Sequence, residues 1–226
     1  MGQMNLKTKS QAMLTPKQQI IFDEFKKSDF LKQNFYFTGG TALSAIYLRH
    51  RLSEDLDFFS IDKFDTLPIL NLMTQWSKKH KFKITSQETE VVRIFLLKFS
   101  DKEKLKVDFG YYPYKRLEKS KKVDSVDTDS LLDIAVNKLQ TIHQRAQVKD
   151  FVDLYFLLKK FTVWDLMEGV KVKFRMEIDP YTIAADCLKA KSFEELPIML
   201  KPLTLDKLKK FYEDLAEKLG MRAVKK

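Results

Sequence analysis

Two hydrophobic periods alternate along the first half of this chain, and only one of them continues into the second. Between residues 15 and 28, Ile20, Ile21 and Phe25 fall on one helical stripe behind Thr15-Pro16, which places proline in the first turn. Residues 35–38 form a short strand. Residues 41–50 return to helical spacing with Leu43, Ile46 and Tyr47 as the buried face, and Leu56, Phe58 and Phe59 mark a second strand. Residues 67–79 spell an amphipathic helix, and 81–85, 91–100 and 105–110 are strand-like. Beyond Tyr114 the alternating period disappears. KRLEKSKK (115–122) is a basic run that reads as a solvated loop, after which 129–145, 150–160, 163–173, 181–189 and 204–219 all carry the helical period. Strands first and helices later predict an α+β chain. A mixed β-sheet module with flanking helices over residues 1–120 is followed by a mainly helical C-terminal module over residues 121–226, the change falling between 115 and 128.

Charge alters this picture more than composition does. The chain of 226 residues is long enough to bury a proper core, and its net charge of +10 raises its encounter rate with polyanions such as RNA, DNA or nucleotides. Cys187 is the single cysteine, which rules out an internal disulfide and suits a reducing compartment. The opening MGQMNLKTKSQAMLTPKQQ lacks the apolar centre of a signal peptide, and no apolar run reaches membrane-spanning length. A cytoplasmic protein with no membrane partner is expected. His50, His80 and His143 show no ligand spacing, so a metal site built from Cys and His is not expected.

Chemistry concentrates in FYFTGGTALSAIYLRHRLSEDLDFFS (35–60). Gly39-Gly40 lies between a strand and a helix, where glycine lets the backbone come close to a ligand and free N–H groups favour a phosphate; a plain turn would use the same pair. Asp55 and Asp57, two apart on a strand, point to one face while Leu56 and Phe58 point to the other. Two carboxylates on one face repel unless they are solvated, paired or bridged by cations. A pair of divalent ions would resolve that repulsion and serve in-line phosphoryl transfer. Asp108, in LKVDFGYY, is a third carboxylate on a neighbouring strand, or else a strand-edge aspartate before a turn.

GGTALSAIYLRHRLSEDLDFF resembles the first motif of the polymerase-beta-type nucleotidyltransferase superfamily, a glycine pair and a helix followed by D-x-D on a strand. The form GGTAL…R-x-S-x-D-x-D is similar to the AbiEii/AbiGii toxin family, with Arg51 and Ser53 where that family carries them. DIAVNKLQTIHQRAQVKDFVDLYFLL continues the pattern with Lys138, Arg145, Lys149, Asp150 and Asp153, lysine standing at 149 where arginine is common. The likeness spans residues 35–160. On a helix, Lys138 and Arg145 would lie within about 20° of each other, as a basic stripe or as the polar side of an amphipathic helix. Asp150 could cap the helix that follows it, with Asp153 near N3.

The resemblance implies a nucleotidyltransferase-like fold and transfer of a nucleoside monophosphate from an NTP to a hydroxyl, with Mg²⁺ or Mn²⁺ as cofactor. Asp55, Asp57 and Asp108 would hold the metal. Gly39, Gly40, Thr41, Arg51 and Ser53 would bind the nucleotide, Lys138 would steady the triphosphate, and Asp150 would orient Lys138 or the acceptor. RNA, the 3′ end of tRNA included, is the implied acceptor, growth arrest the implied result, and a cognate antitoxin the implied partner. A small-molecule acceptor, or a catalytically silent protein that binds nucleic acid or a partner, are the other readings.

Overall fold

A computed structural model of the chain describes residues 14–224; residues 1–13, read above for a signal peptide, lie outside the described residues. The chain divides into two compact units. One holds the residues up to Tyr47 with Ser53–Lys115 and Lys119–Asp129, and the other holds Leu48–Leu52, Arg116–Glu118 and the residues from Ser130 onward.

The first unit is built on a sheet. Helix α1 (Pro16–Lys27) opens on a reciprocal cap in which the Thr15 hydroxyl accepts from the Gln18 amide and the Gln18 side chain accepts from the Thr15 amide. Ser28 closes α1 and caps α2 (Asp29–Asn34), so the two helices meet at one residue. Strand β1 (Tyr36–Thr38) runs into the short helix α3 (Gly39–Ala42), which widens into a π-helical turn over Leu43–Leu48. Then come β2 (Leu56–Ser60), α4 (Leu67–His80), β3 (Lys83–Glu88), β4 (Val92–Lys98) and β5 (Lys104–Tyr111). A hairpin of β6 (Lys121–Val123) and β7 (Val126–Thr128) completes the order β3-β4-β5-β2-β1-β7-β6. The β2–β5 and β1–β7 pairs are parallel and the others antiparallel, which makes the sheet mixed.

Alternation decides which face of this sheet is core. Phe37, Phe58 and Phe109 lie side by side across β1, β2 and β5 and are fully buried. Phe25 of α1 stacks on Phe58 at 4.2 Å between ring centroids, and Phe58 stacks on Phe109 at 5.4 Å. Each such ring contributes roughly 1.5–3 kcal/mol of burial. The opposite face of β2 and β5 is thereby left to Asp57, Lys106 and Asp108.

The second unit is helical: α5 (Leu131–Gln144), α6 (Val148–Leu157), α7 (Val163–Phe174), α8 (Pro180–Leu188) and α9 (Leu205–Val224). Ser130, Thr162 and Asp179 cap α5, α7 and α8 through their side chains. Helix α6 is buried from Asp150 to Leu157, and the Tyr212 hydroxyl of α9 donates to the Phe151 carbonyl at 2.7 Å. Asp133 of α5 accepts from the Leu117 and Glu118 amides, Ser130 and Lys173, which ties the 116–118 segment into this unit.

The α+β expectation holds, and three details differ from it. Residues 115–122 are not all loop: Asp124 and Ser125 both take positive φ (48° and 69°), the left-handed pair that closes a two-residue hairpin, so the sheet extends to Thr128. The first compact unit takes in this hairpin and runs to Asp129. Arg145 is extended (φ −149°, ψ 157°) and lies past the end of α5, so it does not share a helical stripe with Lys138. Asp150 is not an N-cap but stands in the first turn of α6, which begins at Val148, and Asp153 lies one turn further on.

Candidate active site

Two of the three expected carboxylates stand side by side in the first unit, and the third lies just before them in the chain. Asp57 of β2 pairs in register with Asp108 of β5, and parallel neighbours run about 4.8 Å apart, so the two side chains are nearest neighbours on one face. Asp55 precedes β2 by one residue, and its charge acts on the same Lys106 ammonium as that of Asp57. Sequence reasoning missed a fourth member. Lys106, two residues before Asp108 on β5, donates its ammonium to Asp108 Oδ2. Burial alone would lower the proton affinity of Lys106, but Asp108 first, then Asp55 and Asp57, outweigh it and hold the ammonium above its usual pKa. The signal was present in LKVDFG: the period of two that put Asp108 on the carboxylate face puts Lys106 there as well.

Gly39 is the close wall of this group. Its φ of +75° is a left-handed conformation, and a Cβ placed on it would lie 2.0 Å from Asp57 Oδ2. Only glycine leaves the backbone against that carboxylate. The Thr41 hydroxyl donates to the Asp55 carbonyl, so the glycine turn is tied to the segment that leads into β2. Gly40 is on α3 beside it, and the Ser53 carbonyl accepts from the Gln18 side chain at 2.8 Å.

The donor set suits a hard cation. Asp55, Asp57 and Asp108 offer oxygen ligands of the kind Mg²⁺ and Mn²⁺ take. Among the described residues, no three or more His, Cys, Asp or Glu side chains form a ready-made metal cage. Such a set fits an ion that completes its shell with water and substrate oxygens, as Mg²⁺ does beside phosphates.

Arg51, Lys138 and Asp150 lie in the second unit, in a buried charge network. Lys138 Nζ lies 2.7 Å from Asp150 Oδ1 and 2.7 Å from Asp153 Oδ2. Arg51 grips Asp153 through both nitrogens of its fork, at 2.7 and 2.8 Å, and donates to its neighbour's carbonyl, that of Leu52. Arg145 donates to Asp150 Oδ2 at 2.8 Å. His50 Nε2 lies 2.7 Å from Asp153 Oδ1, and since a carboxylate only accepts, that nitrogen carries the proton. Burial works against charge on both aspartates, yet Lys138 with Arg51 at Asp153, and Lys138 with Arg145 at Asp150, hold both carboxyls below the usual range. Burial lowers the His50 pKa against the pull of Asp153, so this imidazole is neutral at pH 7. His50 was not anticipated; its place before Arg51 is the sole trace it leaves in the chain.

Residues 23–225 match the family described as nucleotidyl transferase AbiEii toxin, type IV toxin–antitoxin system. An uncharacterized protein of Aquifex aeolicus (strain VF5) is 37% identical over 149 residues, which are 63% of this chain and 67% of that one. Among solved structures, JHP933 from Helicobacter pylori aligns with a TM-score of 0.56 and 20% identity over 98% of this chain and 96% of that chain. MenT4, a nucleotidyltransferase toxin from Mycobacterium tuberculosis H37Rv, aligns with a TM-score of 0.51 and 16% identity over 90% and 83%. At these identities the two structures speak for the fold.

Proposed function

We propose that this chain, which belongs to the AbiEii family of nucleotidyltransferase toxins, moves a nucleoside monophosphate from an NTP to a hydroxyl of RNA, the 3′ end of tRNA foremost, with a divalent cation assisting. The family makes it a nucleotidyltransferase enzyme and a toxin-type protein for which an antitoxin partner is implied. The observation that carries the reading is the in-register pair Asp57–Asp108, with the Gly39 backbone set against Asp57.

Asp55, Asp57 and Asp108 would hold Mg²⁺ or Mn²⁺, which when bound supplies charge neutralisation at the phosphate oxygens. The glycine turn gives the triphosphate room to approach, since no side chain stands on Gly39 or Gly40. The acceptor oxygen forms a bond to the α-phosphorus as the bond from that phosphorus to the bridging oxygen of the β-phosphate breaks. Pyrophosphate leaves with that oxygen, and the proton of the hydroxyl passes to Asp108. Such a reaction depends mostly on positioning and charge. Lys138 enters on its chemistry: a desolvated ammonium kept charged and oriented by Asp150 and Asp153 is a cation of fixed direction, suited to steadying a triphosphate. The net charge of +10 favours a polyanionic acceptor.

The test supplies total RNA, Mg²⁺ and each of the four α-labelled NTPs in turn to wild type and to Asp57→Asn. Label in a tRNA-sized band with wild type alone is the expected result, and it identifies the nucleotide as well. No label in RNA with any NTP would overturn the RNA acceptor.

A further inference from the structure

We propose that Lys106 is a resident placeholder cation: its ammonium neutralises Asp108 in the metal-free protein and has to release that carboxylate when a divalent cation binds. Lys106 would thereby set how tightly the cation is held. The inference rests on the metal-assisted reading above and deepens it by naming what the metal displaces.

Three features of the first unit carry it. Lys106 and Asp108 share one face of β5, and Asp57 stands beside Asp108 on β2, so the ammonium lies within the carboxylate group. The positions opposite on β4 are apolar, Leu96 facing Lys106 and Ile94 facing Asp108. The ammonium is therefore drawn toward the carboxylate side of the sheet, where it donates to Asp108. The pair is half-shielded, with the Lys106 side chain 35% exposed and that of Asp108 12% exposed, so its attraction is only partly screened by water. Lysine also suits a cation that has to leave. It is a compact charge on a flexible stem, whereas the planar fork of arginine would clamp a carboxylate at two points.

The probe is Mn²⁺ alone, titrated calorimetrically into the full chain without NTP, for wild type, Lys106→Met, Lys106→Gln, Lys106→Arg and Asp57→Asn. Removing a competing unit charge next to the ligands should tighten Mn²⁺ binding by about ten- to hundredfold in Lys106→Met. Lys106→Gln should move in the same direction and guards against a folding defect in the methionine variant. Lys106→Arg should stay within about threefold of wild type, because the charge is kept. Unchanged or weaker Mn²⁺ binding in both neutral variants, with wild type binding and Asp57→Asn weakened, overturns the placeholder and leaves the metal-assisted reading standing. Absence of Mn²⁺ binding in all five proteins overturns that reading and the placeholder with it.

Discussion

The two charged regions of this chain are made of similar residues and organised by opposite rules. On the sheet of the first unit, Asp57 and Asp108 lie side by side with Asp55 just ahead of them, and the Lys106 ammonium is paired with Asp108. In the helical unit, Arg51, Lys138 and Arg145 interlock with Asp150 and Asp153, and His50 is added as a neutral donor. The first group gathers like charge on a half-exposed strand face. The second alternates sign inside a core. Like charge held together costs stability and becomes useful when a cation or substrate arrives, whereas alternating charge is a fixed scaffold whose value lies in leaving no member uncompensated. The contrast predicts that substitutions in the sheet group cost activity with little loss of stability, whereas substitutions in the helical network cost folding, Lys138 being the member whose loss would also touch activity.

The largest effect expected is on the network. Asp153→Ala removes the acceptor of Arg51, Lys138 and His50 at once and leaves two buried cations short of their partner. Breaking a buried pair in this way costs about 3–5 kcal/mol, read as a fall in the urea midpoint at unchanged slope. A loss below about 1 kcal/mol would mean that the network behaves like a surface pair, and the contrast would fail. Asp57→Asn tests the other side. It should lower transfer by about a hundred- to a thousandfold, while stability stays within about 1 kcal/mol of wild type because asparagine keeps the shape of a half-exposed side chain. Severe unfolding in Asp57→Asn would place Asp57 among the structural charges instead.

Gly39→Ala sits between these extremes because it touches both properties. The added Cβ would fall on Asp57 Oδ2, and the φ of +75° disfavours any L side chain. A cost of about 1–3 kcal/mol is expected from strain and displacement, together with lost transfer, since the carboxylate cannot stay where it is. Retained transfer at reduced stability would sharpen the comparison differently, by showing that Asp57 works from more than one position.

How much of this was legible in the chain follows from the range of each signal. Period two and period 3.6 are local, so the carboxylate face of β2 and the helices of the second half could be read directly. The β6–β7 hairpin was lost because its turn is Asp124-Ser125, not the glycine-containing pair that usually marks two positive φ values, and because its strands are three residues long and the first begins in a basic run. The network was half legible. Asp150 and Asp153 stand out in KDFVDLYFLL because charge inside an apolar helix demands partners. Which partners they find depends on contacts between residues about a hundred positions apart, such as Arg51 with Asp153, and no period encodes those. Lys106 was legible by alternation, since the period that sets Asp108 on its face of β5 sets Lys106 on the same one.

The smallest and most discriminating effect concerns pH. His50 has a folded pKa below its usual 6.5, so as pH falls through that value the unfolded chain takes up a proton that the folded chain refuses, and stability declines. Asp133, Asp150 and Asp153 have folded values below their usual 3.8, so their contribution is fully present above that pH and is lost as pH falls through the depressed values. The acid side of the stability curve should therefore show two limbs, one beginning near 6.5 and one near 3.8. Each unit of depression corresponds to about 1.4 kcal/mol. Asp153→Asn keeps the shape of the side chain without its proton equilibrium, so its lower limb should be shallower than that of wild type. The upper limb should persist, because removing the Asp153 charge makes His50 harder still to protonate. Urea midpoints taken from pH 8 to pH 3 on both proteins measure both limbs. Identical lower limbs would show that Asp153 does not hold its depressed pKa in the folded chain, and the claim that its charge is locked in by Arg51 and Lys138 would fall.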